Sequence, residues 1–508
     1  MNHDAEDGPA ETTAKRSRRL PLLTLITYGL AQAGLLFWWV AYHPGLFSPD
    51  SLSYIWQSTT GNWNTHHPIS YTALVWLSLQ LTGGLAALTL AQTVAMAAGL
   101  AYAVTGLRRL GGPAWLWSAA AVTVVALPPV GTFVMAVWKD VPFVICHVFL
   151  LGTLARLVAR RRDGEESPFP RPLLLALAVE LTLICLFRQN GFVIVAIMVV
   201  LCALLLRGAA ARMIVAGVVA ASVALLTNWL LLPALGVRDS DSIVALEAFF
   251  SDISVAYAAD PAAFPPADTA VMATVAPLSL WRESANCHSV DTTVYDPAFD
   301  RRAAAAHKGE LLAVWWDAAR RSPGTIIDAR ICRGSIAWRP TSTGGVSRNP
   351  TPWGMRVYVA RDTAFQQSPF RDAVYAGPLS DRARRLADQL TGHTNEPEWL
   401  LWRGANWAYL TYLIVGVVAW RRREPALLAL ATVAVAGQLS VLVFNNVQAA
   451  RYMAAPFVLG VLLLPLLAVA RRPADPVGSA TPSEPAAAEE PAVAVGSDPG
   501  QARLEERG

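Results

Sequence analysis

Residues 20–42 read LPLLTLITYGLAQAGLLFWWVAY, a predominantly apolar run that directly follows a cluster of lysine and arginine at residues 15–19. A bilayer core about 30 Å thick requires roughly 20 apolar residues of helix, so this run is long enough to span a membrane. It is too long for the apolar segment of a cleaved signal peptide, and no small-residue cleavage site closes it. The cations before it predict a retained span whose preceding tail, residues 1–19, is cytoplasmic.

The composition points to membrane embedding along the whole chain. Of the 508 residues, 54% are hydrophobic and only 15% are charged, and the mean hydropathy is +0.38. A soluble domain carries roughly a quarter charged residues, so the composition argues against a soluble, nucleic-acid-binding or disordered protein. The five cysteines show no CxxC or Cys/His metal spacing, and neither a disulfide scaffold nor a structural metal site is expected.

Further apolar runs of near-spanning length predict the number of membrane helices. They lie at residues 84–106, 114–136, 143–159, 171–187, 190–206, 211–233, 404–420, 424–444 and 453–470. Together with the first run, they predict an all-α polytopic membrane protein with about ten transmembrane helices. Seven spans belong to a transmembrane core at residues 20–233, and three belong to residues 404–470.

One shorter apolar segment decides the topology. Residues 68–81 provide only about four helical turns, so we predict an amphipathic helix on the outer surface, within an outer loop at residues 43–83. Every later arginine-rich loop, at residues 108–109, 156–171, 207–212, 421–423 and 471–472, is then cytoplasmic, as the positive-inside rule requires. Both termini are therefore expected inside. The bias towards alanine and arginine is typical of a GC-rich bacterial genome, which would make this membrane the plasma membrane.

A polar region separates the seventh and eighth predicted spans. Residues 234–403 are long enough for a small domain, which we predict to be mainly helical and extracytoplasmic. Cys287 and Cys332 are the only cysteines on that side, and an outer compartment permits disulfides, so we predict a disulfide between them; two free buried thiols are the alternative. The tail at residues 471–508 is rich in Ala, Pro, Glu and Ser, which predicts a disordered cytoplasmic extension.

The short outer loops retain few charges, and those charges are the candidate functional residues. Their cations are Lys139, Arg188 and Arg451, and their carboxylates are Asp50 and Asp140. The arginines and the lysine suit a lipid phosphate, and a carboxylate at the membrane surface could act as a base or bind a metal. The alternatives are structural: Asp50 could cap a helix after Pro49, and the lysine beside Asp140 could form a simple surface pair.

Two further features allow more than one interpretation. His66 and His67 open the surface helix and could ligate a metal, but adjacent histidines rarely reach one ion from a helix, so local hydrogen bonds or a polar pocket are favoured. Glu180 lies inside the fifth predicted span and could pair with Lys139 or Arg188, either to orient that cation or as a purely structural buried pair.

Short motifs in these loops resemble the GT-C superfamily of polyprenyl-phosphate-dependent glycosyltransferases, which includes protein O-mannosyltransferases and aminoarabinose transferases. The motifs are residues 48–54 (SPDSLSY), 67–71 (HPISY), 138–140 (WKD) and 450–456 (ARYMAAP). The resemblance implies transfer of a sugar from a polyprenyl-phosphate donor to an outer envelope glycan, lipid or protein. It implies that Asp50 is the base or a metal ligand, with Asp140 as a second catalytic acid, and that the three outer cations bind the donor phosphate.

The same resemblance guides the expected cofactor and sugar contacts. Many members carry a second acid in the first loop, where this chain has Ser51, so we expect an inverting mechanism without a cofactor, although a divalent cation is possible. We expect Tyr54, His67 and Tyr71 to contact the sugar or the acceptor. A glycan polymerase or ligase using a polyprenyl-diphosphate donor, a transporter or flippase, and a non-catalytic scaffold remain alternatives; no internal repeat of the transporter type is visible.

Overall fold

The computed structural model describes residues 10–165, 169–240, 243–342, 348–349, 367–370, 372, 376–394 and 396–469, with side chains from Leu22 onward. Over these residues the chain is helical and forms no named strand. It is a multi-pass helical membrane protein. Residues 1–9 and the whole predicted tail at 471–508 lie outside the described residues.

The transmembrane part begins with ten helices. They are α1 (Ala10–Ala41), α2 (Pro49–Thr60), α3 (Ile69–Thr82), α4 (Ala86–Leu107), α5 (Ala114–Ala126), α6 (Pro128–Met135), α7 (Asp140–Arg162), α8 (Arg171–Phe187), α9 (Gly191–Leu205) and α10 (Ala210–Leu226). A π-helical turn, Thr227–Leu231, extends α10. After the polar region come α11 (Gly404–Arg422), α12 (Thr432–Val443) and α13 (Ala454–Leu463), and 3₁₀ turns precede α12 and flank α13.

Six of the described helical segments are long and apolar enough to cross a membrane. They are Leu22–Ala41, Ala86–Leu110, Asp140–Arg162, Arg207–Ala234, Pro425–Val443 and Ala450–Ala468. Helices α5 and α6 make a seventh if they form one span, bent by 64° at Leu127, where Pro128 begins the second helix. The remaining three predicted spans coincide with α8, α9 and α11. These helices are not among the segments that are both long enough and apolar enough to cross a membrane. The prediction of ten spans therefore exceeds the six or seven identified by length and composition.

The short helix α3 has 14 residues and occupies the segment predicted to lie on the surface. Its inner face buries Tyr71, Val75 and Leu79, and its exposed face carries apolar side chains as well, including Trp76 (41% exposed) and Leu81 (73%). The predicted helix is present, but the prediction that it is amphipathic is wrong. The helix is apolar on both faces, which suits contact with lipid rather than with water.

The polar region contains short helices around a hydrophobic core of its own. The helices that contribute to this core include Glu247–Ala259, Pro266–Val275, Lys308–Arg321 and Pro323–Arg333. A further helix of this region, Asp381–Gly392, packs against α1 instead. Phe250, Trp281 and Leu311 lie at the centre of this core and are fully buried. Cys287 and Cys332 are joined by a disulfide, with their Cα atoms 5.7 Å apart.

The loops at the two ends of the helix bundle differ in charge: one end is rich in arginine, and the other carries the candidate functional residues. At one end, Arg162 and Arg422 both donate to the backbone carbonyl of Leu110, at 3.1 and 2.9 Å, so the arginine-rich ends of α4, α7 and α11 meet there. At the opposite end, which we call the site end, lie the first residue of α7, the last residue of α8 and the 3₁₀ turn before α13. This alternation brings distant segments of sequence together at the site end.

Candidate functional site

The start of α2 is fixed by two serines. Ser48 is its N-cap, and the Ser48 and Ser51 side chains form a capping box with the first turn. Asp50 is the second residue of the helix, so the structural alternative in which Asp50 caps the helix is wrong. Its carboxylate is left available for contacts with other segments.

Hydrogen bonds then hold α2 against the segment before α7. The Trp138 indole donates to Ser48 Oγ at 2.5 Å, and Ser51 Oγ donates to the Val137 carbonyl at 2.8 Å. The Leu46 backbone exchanges two further bonds with this segment: its N–H donates to Met135, and its carbonyl accepts from Val137, each at 2.9 Å. These bonds place the beginning of α2 beside the beginning of α7.

Two arginines and two carboxylates meet at this position. Arg451 pairs with Asp50 at 2.7 Å and approaches Asp140 at 3.9 Å, and Arg188 pairs with the other oxygen of Asp140 at 3.3 Å. The Asp140 side chain is almost completely buried. We call these four residues the charge cluster. A desolvated carboxylate requires such partners, and the single guanidinium of Arg451 connects both acids.

Aromatic rings enclose the two guanidinium groups. Arg451 lies over Trp138, 4.6 Å from the ring centroid, and Arg188 lies over Tyr452 at 4.5 Å. Tyr452 also faces Arg451 at 5.4 Å and so lies between both arginines. Cation–π contacts of this kind fix the orientation of guanidinium groups with little access to water. The sequence places Tyr452 next to Arg451 but gives no sign of this shared contact.

Lys139 and the predicted sugar-contacting residues Tyr54, His67 and Tyr71 contact one another next to the charge cluster. The Lys139 ammonium donates to His67 Nδ1 at 3.1 Å, and the Tyr54 ring contacts both His67 and Tyr71 edge-on. The Tyr54 hydroxyl is buried without a partner among the described residues. Tyr71 is fully buried, and its hydroxyl donates to Gln92 at 2.8 Å. Direct contact between Tyr71 and a sugar is therefore not supported; the ring is a packing element behind the site.

The electrostatic environment keeps Asp50 ionised and His67 neutral. Burial is the largest single influence on Asp50 and opposes its ionisation, but Arg451, His67 and Lys139 together outweigh burial and hold the pKa of Asp50 well below its ordinary value. Burial and the adjacent Lys139 ammonium hold the pKa of His67 well below its ordinary value. Burial also lowers the pKa of Lys139 itself. His67 is therefore the acceptor in the bond from Lys139.

The helical domain contributes an acid that sequence reasoning did not identify. Its Val290 N–H donates to the Asn446 carbonyl at 2.9 Å, and Ser289 and Val447 form an isolated antiparallel bridge. Asp291 follows directly, and burial, together with the neighbouring Asp50 carboxylate, raises the pKa of Asp291. The domain thus contacts the chain just before Arg451, at the edge of the charge cluster.

Glu180 does not contact the charge cluster. The hypothesis that it pairs with Lys139 or Arg188 is wrong, since Glu180 accepts a hydrogen bond from Thr153 at 2.7 Å and Arg188 pairs with Asp140 instead. Eight helical residues separate Glu180 from Arg188, which corresponds to about 12 Å along the axis of α8. Glu180 therefore lies too deep among the helices to reach the site end.

The donor atoms of the described residues offer limited places for a metal. The group of three close ligands consists of Cys287, His288 and Cys332, and its two sulfurs are already joined in the disulfide. Asp50 and Asp140 have the right chemistry for a divalent ion, but Arg451 lies between them. An ion there would have to displace or repel that guanidinium.

An apolar cleft reaches the charge cluster from the side of the helix bundle. Its lining includes Phe133, Met453, Phe457 and Val458, together with the polar side chains of Arg451 and Asn349. The cleft has the character required by a hydrocarbon chain whose polar end lies at the arginine.

Most of the chain matches a known family of proteins. Residues 53–479 match a family whose description is "Family of unknown function (DUF6020)". The matched region begins within α2 and includes α3 to α13, the helical domain and every residue of the charge cluster except Asp50. No curated protein and no solved structure matches the chain.

Proposed function

Since this chain belongs to the DUF6020 family, whose function is unknown, we propose its activity from the site itself: it transfers a sugar from a polyprenyl-phosphate donor to an acceptor hydroxyl of the cell envelope, on the outer face of the plasma membrane. One observation carries the proposal. Arg451 connects Asp50 and Asp140 and also lines an apolar cleft, with Arg188 and Lys139 near the same carboxylates. The resemblance to GT-C glycosyltransferases points in the same direction.

The cations are suited to the donor phosphate. Lys139, Arg188 and Arg451 bring three positive charges against the two negative charges of Asp50 and Asp140. Asp291, at the edge of the cluster, has a raised pKa and therefore opposes this excess of positive charge less than an ordinary carboxylate does. A phosphate supplies the missing negative charge and accepts two bonds from a guanidinium. The apolar cleft that Arg451 lines would receive the beginning of the prenyl chain.

Asp50 is the proposed general base. With Arg451 at 2.7 Å, its carboxylate is ionised but only weakly basic. A donor phosphate competes for the same guanidinium, and its arrival would loosen the Asp50 pair and raise the basicity of Asp50. The base would thus become effective only when the donor is bound.

The proposed reaction is a single displacement. The acceptor oxygen attacks the anomeric carbon as the bond from that carbon to the phosphate oxygen breaks, and the acceptor proton passes to Asp50. The leaving lipid phosphate gains negative charge, which Arg188, Arg451 and Lys139 stabilise in a site shielded from water. Attack from the face opposite the phosphate inverts the anomeric centre. Asp140 holds both arginines in position and is fully buried, so we assign it to positioning rather than to proton transfer.

The test is sugar transfer by the purified chain in lipid, with a panel of labelled polyprenyl-phosphate sugars and envelope extracts as acceptors. We expect Asp50→Asn to reduce the rate by about 10²-fold or more, in line with loss of a general base. Asp317→Asn, which alters an exposed ion pair in the helical domain, is the matched control and should keep the wild-type rate. If the wild type is active and Asp50→Asn transfers sugar at the same rate, the proposal is contradicted. If a chelator abolishes transfer by the wild type, Asp50 is reassigned as a metal ligand.

A transporter of lipid-linked sugars is the second candidate. The bent pair α5–α6, with its 64° break, is the observation that favours it, because broken helices are typical of transporter binding sites. A transporter would move a labelled lipid-linked sugar across proteoliposomes without forming a new glycosidic bond. Product analysis in the same preparation separates the two activities.

A further inference from the structure

A second cavity lies on the other side of His67 from the charge cluster. Its volume is about 300 Å³, and it lies between the beginning of α3, the end of α8 and the π-helical turn after α10. His67 contributes to its wall while its ring also accepts a bond from Lys139. One side chain therefore separates the cationic site from this cavity.

The rim of the cavity is built by hydrogen bonds between segments far apart in sequence. The Arg238 N–H donates to the Trp63 carbonyl and the Thr65 N–H donates to the Arg238 carbonyl, both at 3.0 Å. The Ser240 N–H donates to Thr65 Oγ1 at 2.8 Å, and the Gln189 amide donates to the Thr65 carbonyl at 3.1 Å. One side of this open cavity is thus a hydrogen-bonded framework and not a gap between loosely packed loops.

Several polar side chains in the lining are free to bind a ligand. The Ser70, Asn228 and Asp239 side chains form no hydrogen bond with any residue that the structure describes, although all three line the cavity. Asn228 and Trp229 belong to the π-helical turn, and such turns are frequent at functional sites. Trp229 is 72% exposed and offers a flat aromatic face at the rim.

The charge of the lining selects against an anion. Neither lysine nor arginine lines the cavity in the described part of the chain, and its acidic side chain is that of Asp239. His67 does not supply a positive charge, because burial and Lys139 hold its pKa well below the ordinary value. A phosphate would therefore bind on the Lys139 side of His67 and be rejected on the other side.

We infer that this cavity binds an uncharged, hydroxyl-rich saccharide: the acceptor glycan. Amide, hydroxyl and carboxylate groups can exchange hydrogen bonds with sugar hydroxyls, and the Trp229 face can pack on the apolar face of a sugar ring. The role as acceptor rests on the proposed transferase function, whereas saccharide binding does not. The position beside His67 would present an acceptor hydroxyl towards Asp50.

Direct binding of labelled neutral oligosaccharides to the full chain in phosphatidylcholine nanodiscs tests the inference without requiring turnover. The panel consists of hexose and pentose tri- and tetrasaccharides, with a sugar phosphate as the anionic probe. We expect at least one neutral oligosaccharide to bind, and Asn228→Ala and Asp239→Asn each to weaken its binding by about 2- to 10-fold, the effect of one lost hydrogen bond. Trp229→Ala should weaken it as well.

Matched controls make the result specific. Trp420→Ala changes an equally exposed tryptophan at the arginine-rich end, and Asp317→Asn changes an exposed acid of the helical domain; both should bind like the wild type. Binding is measured without turnover, so saccharide binding by a wild type that transfers no sugar would support this inference and reject the catalytic proposal. Wild-type binding in all three cavity variants, binding of the sugar phosphate alone, or no binding of any neutral oligosaccharide would overturn the inference.

Discussion

Replacing Asp140 by Asn removes a buried negative charge and leaves its partner Arg188 without a carboxylate. The Asp140 side chain is 1% exposed and that of Arg188 is 10% exposed, and their charged atoms are 3.3 Å apart. At an effective dielectric constant of about 20, this separation corresponds to a gross attraction of about 5 kcal/mol, and the 3.9 Å approach of Arg451 adds about 4 kcal/mol. The cost of removing these charges from water offsets most of this attraction in the wild type.

The variant does not recover that cost, because the arginine remains buried. Breaking a buried ion pair by removing one partner typically costs about 3–5 kcal/mol. Arg451 keeps Asp50 as a partner, so the loss falls mainly on Arg188, and we expect Asp140→Asn to lower the free energy of unfolding by about 3 kcal/mol.

The assay is unfolding in detergent, followed by the reactivity of three buried free thiols, Cys146, Cys185 and Cys202. The double variant Asp140→Asn/Arg188→Gln tests the reasoning further, since removing the unpaired arginine should restore part of the lost stability. Asp317→Asn, an exposed pair, should change stability by less than about 1 kcal/mol. Stability of Asp140→Asn within about 0.5 kcal/mol of wild type, or a double variant that loses the sum of both single effects, would refute the reasoning.

Three further outcomes are expected from unfolding measurements. The pKa of Asp50 in the folded chain lies below its ordinary value of about 4. The ion pair of Asp50 with Arg451 therefore stabilises the fold fully above about pH 4, and this stabilisation is lost as the pH falls through the folded-state pKa. The difference in unfolding free energy between wild type and Asp50→Asn should stay constant from about pH 6 to 8 and shrink below about pH 4. Gly404→Ala would overlap the backbone carbonyl of Met453 and should destabilise by more than about 1 kcal/mol, whereas Gly416→Ala in the same helix meets open space and should be neutral or stabilising. The disulfide between Cys287 and Cys332 joins residues 45 positions apart, and its reduction should lower the free energy of unfolding by about 4 kcal/mol. An equal unfolding midpoint with and without reductant would contradict this.

Much of the layout follows from the sequence alone. Apolar length and arginine placement predict helices at the observed positions, and they predict that Asp50, Lys139, Asp140, Arg188 and Arg451 share one end of the bundle. These properties are local: a run of about 20 apolar residues must cross the bilayer as a helix, and each crossing reverses the direction of the chain. The charge cluster is found where that alternation places it.

The pairing within the cluster required the tertiary structure. Asp50 and Arg451 are separated by almost the whole chain, and their 2.7 Å contact depends on how far α2 and α13 extend and how they are rotated. Two sequence interpretations failed on such points, since Ser48 instead of Asp50 caps α2, and Glu180 lies about two helical turns too deep to reach Arg188.

The exposed face of α3 and the saccharide cavity also depend on packing. The periodicity of α3 does not reveal that Trp76 faces outward while Tyr71 is buried against Gln92. The cavity exists because the segments around Thr65 and Arg238 are hydrogen bonded across more than 170 residues of sequence. Apolar periodicity reports only that a side chain avoids water. Which neighbour it meets is decided by the depth, rotation and contact of whole helices, and these are properties of the folded chain.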